Sequence, residues 1–499
     1  MAPDLDALMK RSDELWEDSI LPSLGEFIEI AALSPAFEPN WAEKGDLSAT
    51  LDLFCAWLDD QKLSGMSYEI HQMDDLTPVL LVTVEGTGAG EVIFYSHLDK
   101  QPSKPELWSE GLHPLKAVRK DPWLFGRGAL DDGYGGYLCV TALRMLQELN
   151  TPHPTCKFLI ETCEESGSFD LPPYLDLLTE KLGDPDLVVV LDSGGPDYDH
   201  IWTTEALRGL VSGTLSVQVS HEGVHSGMAG GTIPSSFRAQ RILLDRIEDS
   251  STGEILIPEM HVPISDKIKN QASELAKVIG NSIWEGLPVV DTLISQSSSV
   301  EESLLDVNWR PALGIIGADG MPSVQSAGNV LRTNTDLKLS FRIPPGVNAE
   351  FVEKIVKEKL EDNPPFGAKV IFHLDPSADG FHAPPLDGPL LESLNEASMH
   401  ITGLPPLATW VGGTIPFMAM MQNKYPNAKL LIAGDGEDKE KINSYIIKNK
   451  LEENIITLGY IKNIFPLMYG AKLFIISSLE MDRSFDPKSL IWGKTNLLY

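Results

Sequence analysis

Continuous apolar runs that alternate with amphipathic segments constrain the fold most strongly between residues 79 and 195. PVLLVTVEG, EVIFYSHLD, KFLIETCEES and DLVVVLDSGG are rich in β-branched and apolar residues, which is typical of strands. GGYLCVTALRMLQEL and LPPYLDLLTEKL, which lie among them, have helical spacing. Strands without polar alternation need cover on both faces, so the sequence predicts an α/β domain whose mixed sheet is covered by helices.

The pattern changes near residue 205, where apolar and polar residues begin to alternate. LVSGTLSVQVS and TDLKLSFRI alternate as strands with one solvent-facing side do, and FRAQRILLDRIED and ASELAKVIGNSIW have helical spacing. We therefore predict an inserted α+β domain over residues 206–380. It interrupts a first domain that covers 1–205 and resumes over 381–428 with the helix PLLESLNEASMHITG.

Charge and composition exclude several classes of partner. The net charge of −33 argues against nucleic acids and anionic membranes. No run of about 18 apolar residues is present, so no membrane-spanning helix is expected. The start, MAPDLDALMKRSDELWEDSI, predicts an amphipathic helix rather than a signal peptide. Cys55, Cys139, Cys156 and Cys163 form no CxxC pair, which is typical of reduced thiols in a cytoplasm.

Residues 429–499 differ in composition from the rest of the chain. They carry ten Lys and Arg against nine Asp and Glu, whereas the preceding 428 residues carry 29 basic and 63 acidic side chains. They are also rich in Ile, Asn and Lys, as in KINSYIIKNKLEENIITLGYIKNI. This break predicts a tail of separate origin, joined near Asn427–Lys429, that can still add a strand and a helix to the first domain's sheet.

Four segments end in side chains that can bind a metal ion or move a proton. In chain order these are His97 and Asp99, Asp131 and Asp132, Glu164 and Glu165, and Asp192. Ligands sit at the carboxyl ends of strands in α/β sheets, so we expect these groups at one edge of one sheet. Imidazole with carboxylates suits Zn²⁺, or else Mn²⁺ or Co²⁺, and two such ions can share a carboxylate, activate a water and polarise a carbonyl.

The residues alone leave some roles open. Asp99 can accept the second ring N–H of His97, or it can serve the neighbouring ligand instead. Glu164 and Glu165 cannot both be buried and ionised without cost unless one binds a cation, which suits a ligand beside a general base. Each of these elements alone is usually structural or solvated; four in order, each after a strand, favour a metal site.

These residues resemble the metallopeptidase family that includes carnosinase, aminoacylase, succinyl-diaminopimelate desuccinylase and glutamate carboxypeptidase. The matching stretches, within residues 1–428, are SHLD (96–99), GRGALDD (126–132), ETCEESGS (161–168), VVLDSGG (189–195), HSGMAGG (225–231) and SFRIPPG (340–346). The resemblance implies a catalytic α/β domain with an inserted lid or dimerisation domain. It also implies two Zn²⁺ ions per chain, a homodimer, and a small peptide or N-acyl amino acid as substrate.

The resemblance assigns the metal ligands residue by residue. His97 and Asp192 bind one metal, Glu165 binds the other, and Asp131 bridges both. Asp99 orients His97, which on this comparison decides between its two roles.

It also implies the groups that act on the substrate. Glu164 is the general base that deprotonates the attacking water. His225 resembles the histidine that stabilises the oxyanion in the partner subunit's active site. Arg342 and Asn329 resemble contacts for a substrate carboxylate; a charge on a surface strand is the alternative for Arg342.

The C-terminal part departs from the family. WVGGTIPF at 410–417 matches the family's GGSIP motif, but the histidine that follows it and completes the Glu165 site is missing, since the last of the eleven histidines is His400. Residues 429–480 instead resemble a fragment of the C-terminal half of retaining two-Rossmann glycosyltransferases, through a strand, a GDG turn, a helix, LGY and SSLE. The donor-binding stretch that should follow SSLE is replaced by MDRSFDPKSL.

The sequence thus leaves three interpretations of function. The first is a metal-dependent hydrolase of dipeptides, short peptides or N-acyl amino acids, impaired if no group, such as Asp435 or Glu437 of the tail, replaces the missing histidine. The second is a catalytically weak homodimeric binding or scaffold protein of the same fold. The third and most remote is a glycosyltransferase.

Overall fold

The computed structural model describes residues 5–120, 123–197, 199–285, 287–383, 388–425 and 429–430. The interpretation of the tail therefore lies outside the described residues, except for Lys429 and Leu430. The chain divides into two compact units. The first unit contains the described residues of 1–205, 383–409 and 420–430, and the second contains 206–382 and 410–419.

The described strands and helices alternate along the chain. The strands are β1 (Met66–His71), β2 (Val79–Val84), β3 (Glu91–His97), β4 (Val118–Lys120), β5 (Trp123–Phe125), β6 (Thr155–Glu161), β7 (Leu187–Val190), β8 (Trp202–Leu207), β9 (Gly209–Gln218), β10 (Val224–His225), β11 (Ala312–Asp319), β12 (Val330–Leu331), β13 (Asn334–Ile343), β14 (Lys369–Leu374), β15 (Phe381–His382), β16 (Leu407–Val411) and β17 (Lys429–Leu430). The α-helices are α1 (Leu5–Leu15), α2 (Leu21–Glu29), α3 (Trp41–Lys44), α4 (Asp46–Gln61), α5 (Tyr134–Glu148), α6 (Leu171–Leu177), α7 (Thr179–Leu182), α8 (Ser226–Ala229), α9 (Ser236–Leu244), α10 (Asp266–Ile279), α11 (Ser282–Glu285), α12 (Val300–Asn308), α13 (Ala349–Glu361), α14 (Gly388–Ile401) and α15 (Pro416–Lys424).

The first unit is built on a six-stranded mixed sheet in the order β1-β2-β6-β3-β7-β17. β2 is antiparallel to both of its neighbours, whereas β6, β3, β7 and β17 run parallel. β2, β3, β6 and β7 are buried along most of their length, and α5 packs against β3. The predicted α/β fold with a mixed sheet is confirmed, because the continuous apolar runs form its interior strands.

The second unit contains a four-stranded antiparallel sheet in the order β11-β13-β9-β14. Along β9 and β13, buried and half-buried residues alternate strictly. The helices α9 and α13 pack against this sheet and share its apolar core. The alternation predicted from the sequence is therefore confirmed, since one face carries the core and the other does not.

The start of the tail joins the sheet of the first unit. Lys429 and Leu430 pair in parallel with Leu187 and Val188 of β7 and form the last strand of that sheet. The predicted added strand is present, while the helix predicted after it lies outside the described residues.

Two further sequence expectations concern the helices and the thiols. Among the described helices, none combines the length and the apolar composition needed to cross a bilayer. The four cysteines are all buried and form no disulfide.

The core of the second unit can be tested at Leu339 of β13, which is fully buried. Leu339→Ala should lower the free energy of unfolding by about 2–5 kcal/mol, because the lost side chain leaves a cavity. Ser340→Ala, on the opposite face, should change it by less than about 0.5 kcal/mol. Urea denaturation of both variants measures the difference; similar effects at the two positions would contradict a sheet with one core face.

Candidate metal centre

His97 is the centre of a group of ligands at the carboxyl edge of the first unit's sheet. It ends β3 and is fully buried. Its Nε2 lies 3.2 Å from Oδ1 of Asp131 and 3.7 Å from Oδ1 of Asp192. One ligand atom from each of these three residues lies within 4.8 Å of the others. An imidazole nitrogen facing two carboxylates is a donor set that suits a divalent cation such as Zn²⁺.

The fold explains why these three residues meet. Asp192 follows β7, which pairs in parallel with β3, so both strands deliver their ligands to the same edge. Asp131 lies in the turn Ala129–Gly133 that precedes α5, and its side chain is 55% exposed. The site is thus built from two strand ends and one glycine-rich turn, as expected from the residue order.

Asp99 connects the candidate metal ligands of two neighbouring strands. It is fully buried, and its Oδ1 lies 3.4 Å from Nδ1 of His97. The backbone N–H of Glu164 donates to Oδ1 (3.1 Å) and that of Glu165 donates to Oδ2 (3.0 Å). Asp99 therefore fills both roles that the residues alone left open: it faces the histidine, and it anchors the segment that carries the two glutamates.

Glu164 and Glu165 begin a short 3₁₀ turn that is separated from the end of β6 by two residues. Burial, followed by the charge of Asp192, raises the pKa of Glu164 well above its usual range. Burial and then the charge of Asp131 raise the pKa of Glu165 to about 8. Burial works against the charged form of His97, yet the carboxylates, Asp192 first, raise its pKa well above the ordinary value. Such a concentration of acidic groups is relieved when a cation is bound.

Two carboxylates near His97, those of Glu165 and Asp132, have buried oxygens that would suit a cation. Gln101, which contacts the first of them, was assigned no role from the sequence. Gln101 donates from Nε2 to Oε2 of Glu165 (2.8 Å), whereas the other oxygen, Oε1, is buried and finds no hydrogen-bond partner among the described residues. Both carboxylate oxygens of the fully buried Asp132 are likewise unpartnered within the described part of the chain. Orphaned buried oxygens of this kind call for a counter-ion or a proton.

A buried polar cluster of Tyr95, Glu161 and Ser168 holds together the two ends of the loop that carries Glu164 and Glu165. Glu161 ends β6, and its Oε1 accepts hydrogen bonds from the hydroxyls of Tyr95 (2.6 Å) and Ser168 (2.8 Å). Because Glu161 and Ser168 flank residues 162–167, this contact ties the two ends of the loop together. A signal was present in the sequence, since Tyr95 and Glu161 interrupt otherwise apolar strands.

Lys100 connects the same edge to the N-terminal helix α2. Its side chain is fully buried, and Nζ donates to the carbonyls of Phe27 and Ile30 at 2.7 Å each. Nζ also lies 3.9 Å from the centroid of the Phe27 ring. A Cβ on Gly128 would lie 2.7 Å from Cε of Lys100, so this glycine admits the lysine beneath the turn that leads to Asp131. Burial, and then the charge of Arg127, lowers the pKa of Lys100 to about 7.

The predicted residues of the inserted segment lie in the second unit. His225 is exposed in β10, which pairs with β12, and its Nδ1 accepts the N–H of Gly227. The carbonyl of Asn329 accepts the N–H of Ser226 at 2.8 Å, so the backbones of His225 and Asn329 are brought together.

Arg342 lies on the face of β13 away from the core, and it meets the GGTIP motif. Its Nη1 donates to Oγ1 of Thr414 at 2.9 Å. Thr414 in turn donates to the carbonyl oxygen of Arg208 at 2.6 Å. The sequence placed GGTIP within the family resemblance but did not identify Thr414 or Arg208 as partners of Arg342.

The sequence and the fold are both similar to those of known dipeptidases. The chain is 28% identical over 486 residues to the β-Ala-His dipeptidase of Homo sapiens, covering 88% of this chain and 89% of that protein. It is 27% identical over 376 residues to the cysteinylglycine-S-conjugate dipeptidase of Corynebacterium striatum, covering 72% and 77% respectively. The solved structure of the dipeptidase Dug1p from Saccharomyces cerevisiae has the same fold, with a TM-score of 0.70, 21% identity, and coverage of 88% of this chain and 93% of that one.

A short segment has a different relative. It is 48% identical over 56 residues to an uncharacterised glycosyltransferase of Methanocaldococcus jannaschii, which covers 11% of this chain and 14% of that protein. A fragment of this size agrees with the resemblance seen in the tail and is too small to represent a whole glycosyltransferase.

A family model matches most of the chain. The model of peptidase family M20/M25/M40 matches residues 93–460, which include the strand ends with His97, Glu164 and Asp192 and the whole second unit. The protein therefore belongs to peptidase family M20/M25/M40.

Proposed function

We propose that this protein is a metal-dependent dipeptidase that hydrolyses the amide bond of dipeptides, and of short peptides or N-acyl amino acids of similar size. The observation that carries the proposal is the group formed by His97, Asp131 and Asp192, with Oε2 of Glu164 4.0 Å from Nε2 of His97. Two relatives that match most of the chain are named as dipeptidases, which supports the substrate class.

His97, Asp131 and Asp192 would hold one divalent cation, and Glu165, with Asp131 as a shared ligand, would hold a second. Zn²⁺ suits these ligands best, with Mn²⁺ or Co²⁺ as substitutes. A bound cation of this kind polarises the scissile carbonyl and makes water more acidic.

The chain's own residues then move the proton and hold the substrate. Glu164 accepts a proton from the attacking water and returns it to the leaving amine. Asp99 keeps the Nδ1 proton of His97 in place, so that Nε2 stays free to act as a ligand. A ring N–H of His225 donates to the developing oxyanion, while Arg342, with Asn329, binds the carboxylate of the substrate.

Glu164→Gln tests the general base. The variant keeps the size of the side chain but cannot accept the proton, so kcat for Cys-Gly and β-Ala-His should fall about 10²–10⁴-fold. Metal analysis of the same preparation is the control, because the metal content should be unchanged. Undiminished hydrolysis by Glu164→Gln would remove Glu164 from the mechanism, whereas a metal-loaded wild type that hydrolyses no dipeptide would favour the binding or scaffold role.

Removal and stepwise readdition of the metal test the metal dependence of hydrolysis and the affinities of the two sites. Dialysis against a chelator should abolish dipeptide hydrolysis, and added Zn²⁺ should restore it. Titration of the metal-free protein with Zn²⁺ should show one tight and one weaker site, since no histidine follows His400 to complete the Glu165 site. Two equally tight sites would show that another group replaces the missing histidine.

In the same titration, Asp99→Asn should weaken Zn²⁺ binding at the tight site about 10–100-fold, as expected for a group that orients a ligand.

We also propose that the protein forms a homodimer through the second unit. Among the described strands, β11 is an edge strand of the four-stranded sheet, and its Ile315 and Ile316 are 49% and 66% exposed. Val324, which follows, is 89% exposed. An open apolar edge pairs readily with a second copy of itself, and a dimer would let the exposed His225 serve the partner's site.

Mixing two inactive variants tests this arrangement. Glu164→Gln and His225→Ala homodimers should each be inactive, but randomly mixed subunits should recover about a quarter of the wild-type activity. The reason is that half of the dimers are mixed and each has one complete site. Sedimentation of the wild type gives the control; a monomer that is active alone, or mixtures that stay inactive, would exclude action of His225 in the partner's site.

The four buried free thiols support a reducing compartment, which we propose is the cytoplasm.

A further inference from the structure

Arg208, between β8 and β9 of the second unit, is a partly buried cation whose side-chain hydrogen bonds, among the described residues, all go to backbone carbonyls. Its Nε donates to the carbonyl of Gly412 at 3.1 Å, and its Nη1 lies 3.5 Å from the carbonyl of Arg310. Among the described residues it makes no ion pair with a carboxylate. Because no carboxylate among the described residues pairs with this guanidinium, its positive charge is not neutralised by a neighbouring side chain.

The backbone of Arg208 holds the same loop, residues 411–414, from a second side. Its N–H points to the carbonyl of Val411 (3.4 Å), and its own carbonyl accepts the hydroxyl of Thr414 at 2.6 Å. A Cβ on Gly412 would lie 3.0 Å from Nη2 of Arg208 and 2.7 Å from the carbonyl of Val307. Glycine at this position therefore permits the close approach of the loop to the guanidinium.

This loop positions Arg342. The hydroxyl proton of Thr414 is directed to the carbonyl of Arg208, so its oxygen is left to accept the Nη1 hydrogen bond of Arg342 at 2.9 Å. The two guanidinium groups also repel each other electrostatically. Burial, and then the charge of Arg342, lowers the pKa of Arg208 to about 10. An anion bound at Arg342 is attracted by both cations.

We propose that Arg208 is a positioning and specificity-determining residue, which fixes Arg342 through the 411–414 loop and adds its own charge to favour substrates that end in a free α-carboxylate. This inference rests on the proposed function, in which Arg342 binds the carboxylate of the substrate. Its consequence is selectivity: a dipeptide should bind more tightly than the same dipeptide with an uncharged C-terminal amide.

Binding measurements test this without relying on turnover. The full chain, loaded with Zn²⁺ and carrying Glu164→Gln to prevent hydrolysis, is titrated calorimetrically with Cys-Gly and with Cys-Gly amide. The readout is the ratio of the two Kd values, amide over acid. A purely structural defect weakens both ligands alike and leaves this ratio unchanged.

Arg208→Gln should lower the ratio about fivefold or more, with the Kd of the amide nearly unchanged, as expected for a lost contribution of about 1 kcal/mol to binding of a charged group. Arg208→Lys, which keeps the charge but not the planar fork, should retain part of the selectivity. If Arg208→Gln leaves the ratio at the parent value, or weakens acid and amide equally, the proposal is wrong.

Three further variants make the outcome decisive. Arg342→Gln separates this inference from the proposed function. If Arg342→Gln lowers the ratio of the two Kd values to about one while Arg208→Gln leaves it unchanged, only the role of Arg208 is wrong. If neither variant changes the ratio, the proposed carboxylate site itself is wrong. Should Arg208→Gln not fold, Thr414→Val breaks the same link and Thr414→Ser preserves it. Loss of selectivity in Thr414→Val with retention in Thr414→Ser supports the proposal, and retention in both overturns it.

Discussion

The candidate metal centre depends on a single buried carboxylate. Asp99 faces Nδ1 of His97 and accepts the backbone N–H groups of both Glu164 and Glu165. Its two oxygens thus join the ends of β3 and β6, which run parallel and deliver their side chains to one edge. A buried carboxylate is stable only when it is paired and hydrogen-bonded. The orientation of the His97 ring and the position of the segment that carries Glu164 and Glu165 therefore depend on the same side chain. A shift of either strand end would leave that carboxylate unsatisfied.

Most of the fold could be predicted from the sequence because its physical signals are local. Continuous apolar runs form the interior strands of the first unit, and alternating runs form β9 and β13, whose faces differ in burial. His97 and Asp192 could be placed at one edge because each directly follows such a run. The double role of Asp99 could not be predicted, since it depends on the N–H groups of Glu164 and Glu165, which are more than sixty residues away.

The contacts that support the site were harder to foresee for the same reason. Gln101 contacts Glu165, and Thr414 links Arg342 to Arg208, only through tertiary structure. In a sequence, an isolated glutamine or threonine carries no periodic signal. The domain boundaries and the individual residue roles remain predictions, whereas the fold and the family are established by the sheet topology and by the match over residues 93–460.

The position of Lys100 links the stability of α2 to that of the sheet edge that carries His97 and Asp99. Its amine is buried against the carbonyls at the end of α2, while its backbone immediately follows Asp99. If α2 detached, Nζ would lose both carbonyl acceptors and the ring of Phe27, so the contacts that hold α2 also fix the residue that follows Asp99. The stability of the sheet edge that carries His97 and Asp99 therefore depends in part on a helix that contributes none of the candidate ligands.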